Sequence, residues 1–443
     1  GVTPSNITWD SLTKPYSAVA SGQRTHPQYT EQALRRAITQ GLDPAGNSLQ
    51  PAMPRYVISH ADLADLIAYL KGVGKERDPG LSDSAIRIGT ILPPGGQAQE
   101  LAFEIRNLLQ VYFDAINRQG GVYGRKLELC VLDPSPAQAA TGETLGRRFR
   151  AEEIFAMVTV YGGGESSFTT LAEETQVPLV APLAAATQQP SSASRYAFYL
   201  FSGLHEQALV LLDYARKELR AEMPALAIVA VEGEPFSASA AALLKRARDL
   251  GWENIARRSY APGRVQPTSL LDKLQADGVV LFLGPSGDAR RLAEEAAGRN
   301  VKLNLLIPGS LVGREIFDLP VAFDGQIFAA FPTLPNDQDP AVTAQVAALV
   351  RESGLRRGTP ARLLWTYASA RILVEGLRLA GRDLSREGLV AALEGLYDFE
   401  TGVTPRISFG PNRRTGALGA YVVRVDREKR QFVRVSEWIT PTI

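Results

Sequence analysis

Val158 to Thr187 reads VTVYGGGESSFTTLAEETQVPLVAPLAAAT, and the order it implies is strand, Gly-Gly-Gly turn, helix, strand and small-residue loop. Gly162 to Gly164 let the backbone turn at positive φ and come close to another group. Ser166 and Ser167 stand where the following helix must begin, and a helix start with free N–H groups and hydroxyls suits an anion. The run VPLVAP is apolar enough for a strand buried on both faces. It ends in Leu183, Ala184, Ala185, Ala186 and Thr187, whose small side chains leave backbone groups accessible. Two consecutive strand ends then face one crevice, the place where open α/β sheets bind ligands.

Outward from this stretch, short apolar runs alternate with amphipathic helical runs from Ala85 onward, the pattern of a parallel α/β sheet. IRIGTIL (Ile86 to Leu92) is a strand ending in Pro93-Pro94-Gly95-Gly96. A helix follows with Leu101, Ile105, Leu108, Tyr112 and Ile116 along one face, then the strand KLELCVLD and a helix over 137–153. A second α/β series contains helices near 206–219, 237–250, 269–275 and 288–297, with strands ALAIVAV, ARRSYA, GVVLFLG and LNLLIPGS between them. A strand near 326–331, long helices over 340–352 and 361–380, and a hairpin with a charged turn complete the chain. Two similar halves imply two lobes.

Composition narrows the functions. The 443 residues allow two or three domains, and 48 basic against 47 acidic residues give no field for gripping nucleic acid. One cysteine, Cys130, excludes an internal disulfide framework, and with three histidines it leaves too few soft ligands for a Cys/His zinc cluster. No apolar run reaches the roughly 18 residues that suggest a membrane span. The chain begins at Gly1 with neither initiator methionine nor signal peptide and reads as processed or truncated. Catalysis lacks its apparatus: Gly164-Glu165-Ser166-Ser167-Phe168 misses the G-x-S-x-G elbow, and His205, a hinge or cleft residue, is the only histidine after the first eighty residues. No glycine turn ends in Gly-Lys-Ser/Thr.

The first eighty residues differ in texture. Two helical patterns, 30–41 and from Ser59 to Gly72, flank LDPAGNSLQPAMPRYVIS. The succession helix, Gly, D-P-x-G, P-A-M-P-R-Y, S-x-x-D-L-A-D-L-I-A-Y-L-K resembles the C-terminal part of a class I cytochrome c domain. In that family the methionine of the P-A-M-P loop is an axial haem ligand, a role that would fall on Met53. The C-x-x-C-H attachment motif is absent from this chain, so no haem is expected in it. Residues 75–84 read as a charged, Pro/Gly-containing linker.

The phrases FDAINRQGGVYGRKLEL, EETQVPLVAP, FPTLPNDQDP, TYASARILVEGLRLAG and FGPNRRTGALGAYVVRVD together resemble the type I periplasmic solute-binding proteins of the branched-chain amino acid family. The resemblance implies an α/β fold of two Rossmann-like lobes joined by three crossovers, after a small, mostly helical N-terminal segment. The divisions expected are 1–74 for the cytochrome-like segment, 75–84 for the linker, 85–203 with 333–407 for lobe one, and 204–332 with 408–443 for lobe two. It further implies a periplasmic, non-enzymatic binder that hands its solute to an ABC permease. A ligand sensor or adaptor coupled to a periplasmic redox partner through the N-terminal segment is the alternative.

Carried over by residue, the resemblance gives the carboxylate grip to Ser166 and Ser167 and to Leu183, Ala184, Ala185 and Thr187. Gly95 and Gln97 would line the cleft mouth, and Phe236 would either stack on the ligand or serve as a buried aromatic on the hinge side. Relatives place a tyrosine where this chain has Gly284-Pro285-Ser286, and an acid for the α-ammonium where it has Pro308-Gly309-Ser310. Ser286 and Ser310 are the second-lobe candidates. Burying a cationic amine without a paired acid is costly, so the expected ligand is a carboxylate lacking a free α-amine or an aromatic acid. Glu165, Glu232 and Glu234 are the acids that could serve an amine instead.

Overall fold

A computed structural model describes residues 6–17, 25–51, 53–72, 77–92, 99–132, 151–162, 165–184, 194–219, 225–272, 278–352 and 361–442. The chain divides into two compact units, Gly1–Asp78 and Pro79–Ile443.

In the first unit, helix Glu31–Gln40 starts where Thr30 Oγ1 accepts the Ala33 N–H at 3.1 Å and stops at Gly41, whose φ of +70° closes it. Helix His60–Gly72 begins after Ser59, whose hydroxyl accepts the Asp62 N–H at 3.1 Å and donates to the Asp62 carboxylate at 2.7 Å. Leu34 and Ile38 of one helix meet Leu63, Ile67 and Leu70 of the other in a small core. Asp43 is fully buried because both its oxygens are used: it accepts the N–H groups of Ala45 and Asn47 and the Asn47 side-chain amide. Two elements were not anticipated, the turn of helix Trp9–Leu12 and the antiparallel pairing of Tyr16–Ser17 with Thr25–His26.

The second unit contains two main sheets. The first holds six parallel strands, in chain order Ala85–Thr90, Lys126–Val131, Ala156–Val158, Leu179–Val180, Ala197–Phe201 and Thr415–Ala417. In space the second strand lies outside the first, and the third, fourth, fifth and last follow on the other side. The second sheet repeats this order with Ala225–Val231, Asn254–Tyr260, Gly278–Leu283, Leu303–Pro308 and Ile327–Phe331. The antiparallel hairpin Tyr421–Asp426 and Gln431–Arg434 extends it. Both sheets are doubly wound, with the switch in strand order between first and third strands. This is the expected two-lobed α/β architecture.

Each central strand is buried on both faces, as its unbroken apolar run requires. Helices Gln99–Arg118, Pro340–Glu352 and Ala361–Ala380 bury Phe113, Val346 and Leu373 against the first sheet. Helix Leu204–Glu218 packs Leu204, Ala208 and Leu211 on one face of the second sheet, and Ser286–Gly298 packs Leu292 on the other.

The structure departs from the sequence reading at several boundaries. Only the first half of the 75–84 segment can serve as a linker. Gly80 C=O accepts the Arg87 N–H at 2.8 Å, Leu81 bridges Ile86, and Ser82 Oγ accepts the Ala85 N–H at 2.9 Å. Gly80, at φ +84°, lets the chain pass so close to Glu153 and Phe155 that a Cβ would lie 2.3 Å from the Glu153 carbonyl oxygen. The return to the second lobe also comes later than Ile407, because Thr415–Ala417 pairs in parallel with Ala197–Phe201 in the first sheet. The crossing is made at 418–420. A helix not foreseen, Arg386–Glu394, starts at Ser385, whose hydroxyl accepts the Gly388 N–H. The helix expected over 137–153 falls almost entirely outside the described residues.

Candidate functional site

The crevice side of each sheet is fixed by its parallel strands, whose carboxyl ends all point one way. In the first lobe the opening stretch supplies two of these ends. Beyond Ala156–Val158, Thr159 takes φ +51°, and beyond Leu179–Val180, Ala181 takes φ +52°. Both chains then resume as short strands, Tyr161–Gly162 and Leu183–Ala184, which pair in parallel with Gly162 opposite Ala184. The two loops that the sequence reading assigned to one crevice are therefore neighbours. Helix Glu165–Thr175 follows at once, so Ser166 and Ser167 occupy its first turn, where N–H groups lack helical partners. Ala185 and Thr187, like Gly95 and Gln97 on the first loop, lie outside the described residues.

At the switch point, Thr90 and Thr159 are both fully buried, and the Thr90 hydroxyl donates to the Thr159 carbonyl at 3.1 Å. The Thr159 hydroxyl is buried without a hydrogen-bond partner. A β-branched residue at positive φ with an unpaired hydroxyl is strained twice over, a condition found at ligand sites. Sequence reasoning passed over this pair, since no local pattern marks it.

In the second lobe, the first strand ends in Glu232-Gly233-Glu234-Pro235, with Glu234-Pro235 in cis, and leads into helix Phe236–Asp249. Phe236 is half-buried with its ring against both cores of the lobe. Glu232 and Glu234 are exposed. One accepts from Ser259 Oγ and the other from the Ala238 N–H, each at 3.4 Å.

Ser286, expected to face the ligand, is buried and engaged instead. Its hydroxyl donates to Glu315 Oε1 at 2.5 Å and accepts the Gly313 N–H at 2.9 Å. That hydrogen bond is the main reason the Glu315 carboxyl is held below its usual pKa. Ser286 thus fastens the segment after the fourth strand, and its hydroxyl is not presented to a solute. Ser310 is exposed in the turn Gly309–Leu311 at the end of Leu303–Pro308.

Gly284 and Gly309, which lie in the two second-lobe stretches singled out by the resemblance, are held to glycine by packing. A Cβ on Gly284 would lie 2.2 Å from the Tyr260 hydroxyl, which donates to the buried Asp288 carboxylate at 3.1 Å. A Cβ on Gly309 would lie 2.4 Å from the Ala330 carbonyl oxygen and 2.7 Å from the Phe331 ring. Neither position can hold a larger side chain without displacing a strand or a buried pair.

Between the lobes the crossovers are cross-linked. Ser202 Oγ accepts the Gly419 N–H at 2.7 Å, joining the first crossing to the third. The Tyr421 hydroxyl donates to Asp337 at 2.7 Å, joining the third to the second, and burial with this bond pushes Tyr421 up to about 12. His205, in the first turn of helix Leu204–Glu218, is buried with Nδ1 unpartnered, and burial lowers its pKa to about 4. Glu206 beside it accepts the Gly203 N–H at 2.9 Å and is raised by burial.

Among the described residues, no group of three or more His, Cys, Asp or Glu side chains could hold a metal ion, and no helix is long and apolar enough to cross a membrane. The residues present do not fit covalently held haem. Cys130 lies on strand Lys126–Val131 of the second unit, and His26 stacks on Tyr16 with Nδ1 2.7 Å from the Pro27 carbonyl oxygen. The Met53 carbonyl accepts from Arg55, which also bonds the carbonyls of Leu49 and Gln50.

A family model described as periplasmic binding protein matches residues 85–431. A Leu/Ile/Val-binding protein of Rhizobium johnstonii is 22% identical over 339 residues, covering 74% of this chain and 89% of the relative. Among solved structures, a fatty acid ABC transporter substrate-binding protein from Thermomonospora curvata superposes with a TM-score of 0.60 at 20% identity. It covers 82% of this chain and 94% of its own. A branched chain amino acid ABC transporter from Thermus thermophilus with bound valine gives 0.59 at 18%, covering 81% and 97%. At such identities these two structures speak for the fold.

Proposed function

This chain belongs to the periplasmic binding protein family, and on that premise we propose that it closes its two lobes on a small carboxylate lacking a free α-amine. It does so outside the cytoplasmic membrane and delivers the ligand to an ABC permease. The carboxylate is received by the first lobe, at the start of helix Glu165–Thr175 and beside the strand pair Tyr161–Gly162 and Leu183–Ala184. The observation that carries the ligand class is the sealing of Gly284 and Gly309 by Tyr260 and by Ala330 with Phe331. Gly284 and Gly309 are closed to side chains, and Ser286 is spent on Glu315 and Gly313.

An α-ammonium buried against that wall would find no acid at Gly284, Ser286 or Gly309, and a buried cation without a paired acid costs several kcal/mol. An aliphatic or aromatic tail loses nothing there, and the half-buried ring of Phe236 offers it a surface. The fatty-acid binder among the structural neighbours supports this reading, and the valine-bound one marks what would oppose it. A thermal-shift panel of valine, leucine, isoleucine, octanoate and phenylacetate tests it, since a ligand that binds the native state raises its melting temperature by mass action. A rise with an acid lacking the amine supports the proposal, and a rise confined to the amino acids defeats it.

The second reading keeps the same cleft but has the ligand read by the first unit in place of a permease. It rests on Gly1–Asp78 forming its own unit with its own core and on the cytochrome-like wording of that segment. A pull-down with the full chain that recovers a redox protein and no permease would favour it.

A further inference from the structure

Gln207 stands in the first turn of helix Leu204–Glu218, and its side chain is almost wholly buried, the residue being 3% exposed. Its carboxamide is used at both ends. Nε2 donates to the Ser202 carbonyl at 2.7 Å, and Oε1 accepts the Ser310 N–H at 3.0 Å. Ser202 is itself buried at the first crossing and accepts the Gly419 N–H of the third. Ser310 lies in the exposed turn Gly309–Leu311 at the crevice end of the second sheet. One line of hydrogen bonds therefore runs from Gly419 through Ser202 and Gln207 to Ser310.

We propose that Gln207 is a positioning residue that ties the ligand-facing turn Gly309–Leu311 to the hinge, an inference that rests on the solute-binding reading above. The carboxamide fits the place because it donates to a carbonyl and accepts from an N–H at the same moment. Ionised glutamate keeps the acceptor and loses the donor. Methionine keeps the volume and loses both. When the lobes rotate, the backbone at 202–203 turns and the Ser202 carbonyl turns with it. The Ser310 turn follows through the carboxamide, so its position against the ligand is set by the hinge angle. The other end of the same segment is held separately, by Ser286 on the Gly313 N–H, which gives an internal control.

The test uses the full chain and the variants Gln207→Met and Gln207→Glu. Hydrogen exchange is read at the Ser310 and Gly313 amides, with affinity for whichever of octanoate, phenylacetate, valine, leucine and isoleucine most raises the native melting temperature. In Gln207→Met, exchange at Ser310 should rise at least about ten-fold and affinity fall by about the same factor, the scale of one buried hydrogen bond lost, while Gly313 stays protected. In Gln207→Glu, read at a pH high enough for the carboxyl to be ionised, Ser310 should stay protected while affinity still falls, because the link to Ser202 is gone. Native affinity in either folded variant, or unchanged protection of Ser310 in Gln207→Met, overturns the proposal. If Gln207→Met does not fold, Gln207→Glu decides alone. If none of the five compounds binds the native chain, the solute reading fails by itself, and exchange at Ser310 still decides whether Gln207 holds the turn.

Discussion

The Ser286 hydroxyl donates to Glu315 at 2.5 Å while accepting the Gly313 N–H at 2.9 Å, so one side chain clamps two points of the segment that follows the fourth strand of the second sheet. Ser286→Ala should cost roughly 1–3 kcal/mol of stability in urea unfolding, because it strands a carboxylate and an N–H that had a common partner. The loss should shrink in acid. The folded-state pKa of Glu315 is lowered, so the stability it contributes is present above its ordinary 4.5 and disappears as pH falls through the folded value. Unfolding curves of both forms at pH 7 and at a series of pH values descending from 4.5 check the sign.

Tyr260 and Gly284 should behave as one unit. Gly284→Ala drives a methyl into the Tyr260 hydroxyl and should destabilise by roughly 1–3 kcal/mol, as overpacking does. Tyr260→Phe removes the obstruction but deprives buried Asp288 of a donor. The double variant should therefore be more stable than the two single losses added together. A double-mutant cycle in denaturant measures the coupling, and strict additivity would contradict the packing described.

His205 makes the second unit acid-sensitive. Its folded pKa is lowered from 6.5 to about 4, so the unfolded chain binds a proton that the folded one refuses. Stability from this residue is complete above pH 6.5 and is lost as pH falls toward 4, by up to about 3 kcal/mol at 1.36 kcal/mol per unit. Neighbouring Glu206, raised by burial, acts in the opposite sense, so the comparison must be with a variant and not with neutral pH alone. His205→Leu should match or exceed the native chain at pH 7, since Nδ1 has no partner to lose, and should show a flatter decline in melting temperature down to pH 4.

Of the three acids that could serve an amine, Glu165, Glu232 and Glu234, the last two are exposed at the end of the first strand of the second sheet. Glu232→Gln and Glu234→Gln should each change affinity for an acid lacking the amine by less than about two-fold, the small effect expected of exposed charges. A ten-fold loss for leucine in either variant would mean that the amine is held there.

The lobes were legible because strands such as VVLFL and IVAV are buried on both faces and separated by helices with clear apolar stripes. The parallel neighbours at Gly162 and Ala184 follow from two consecutive strand ends in such a sheet. Helix Arg386–Glu394 had a readable start at Ser385 and a stripe of Leu389, Val390 and Leu393, and its signal was passed over. The engagement of Ser286 was not legible, because its partner is 29 residues away and nothing local announces it. The third crossing was misplaced for a similar reason: Thr415–Ala417 is too short to declare which sheet it joins until Ala197–Phe201 is seen beside it.

Calorimetric titration of the full chain with octanoate, phenylacetate and leucine tests the ligand class most directly. With Gly284 and Gly309 sealed and Ser286 spent, saturable binding of at least one of the two acids and no heat from leucine are expected. Tight binding of leucine with no binding of either acid would contradict the assignment.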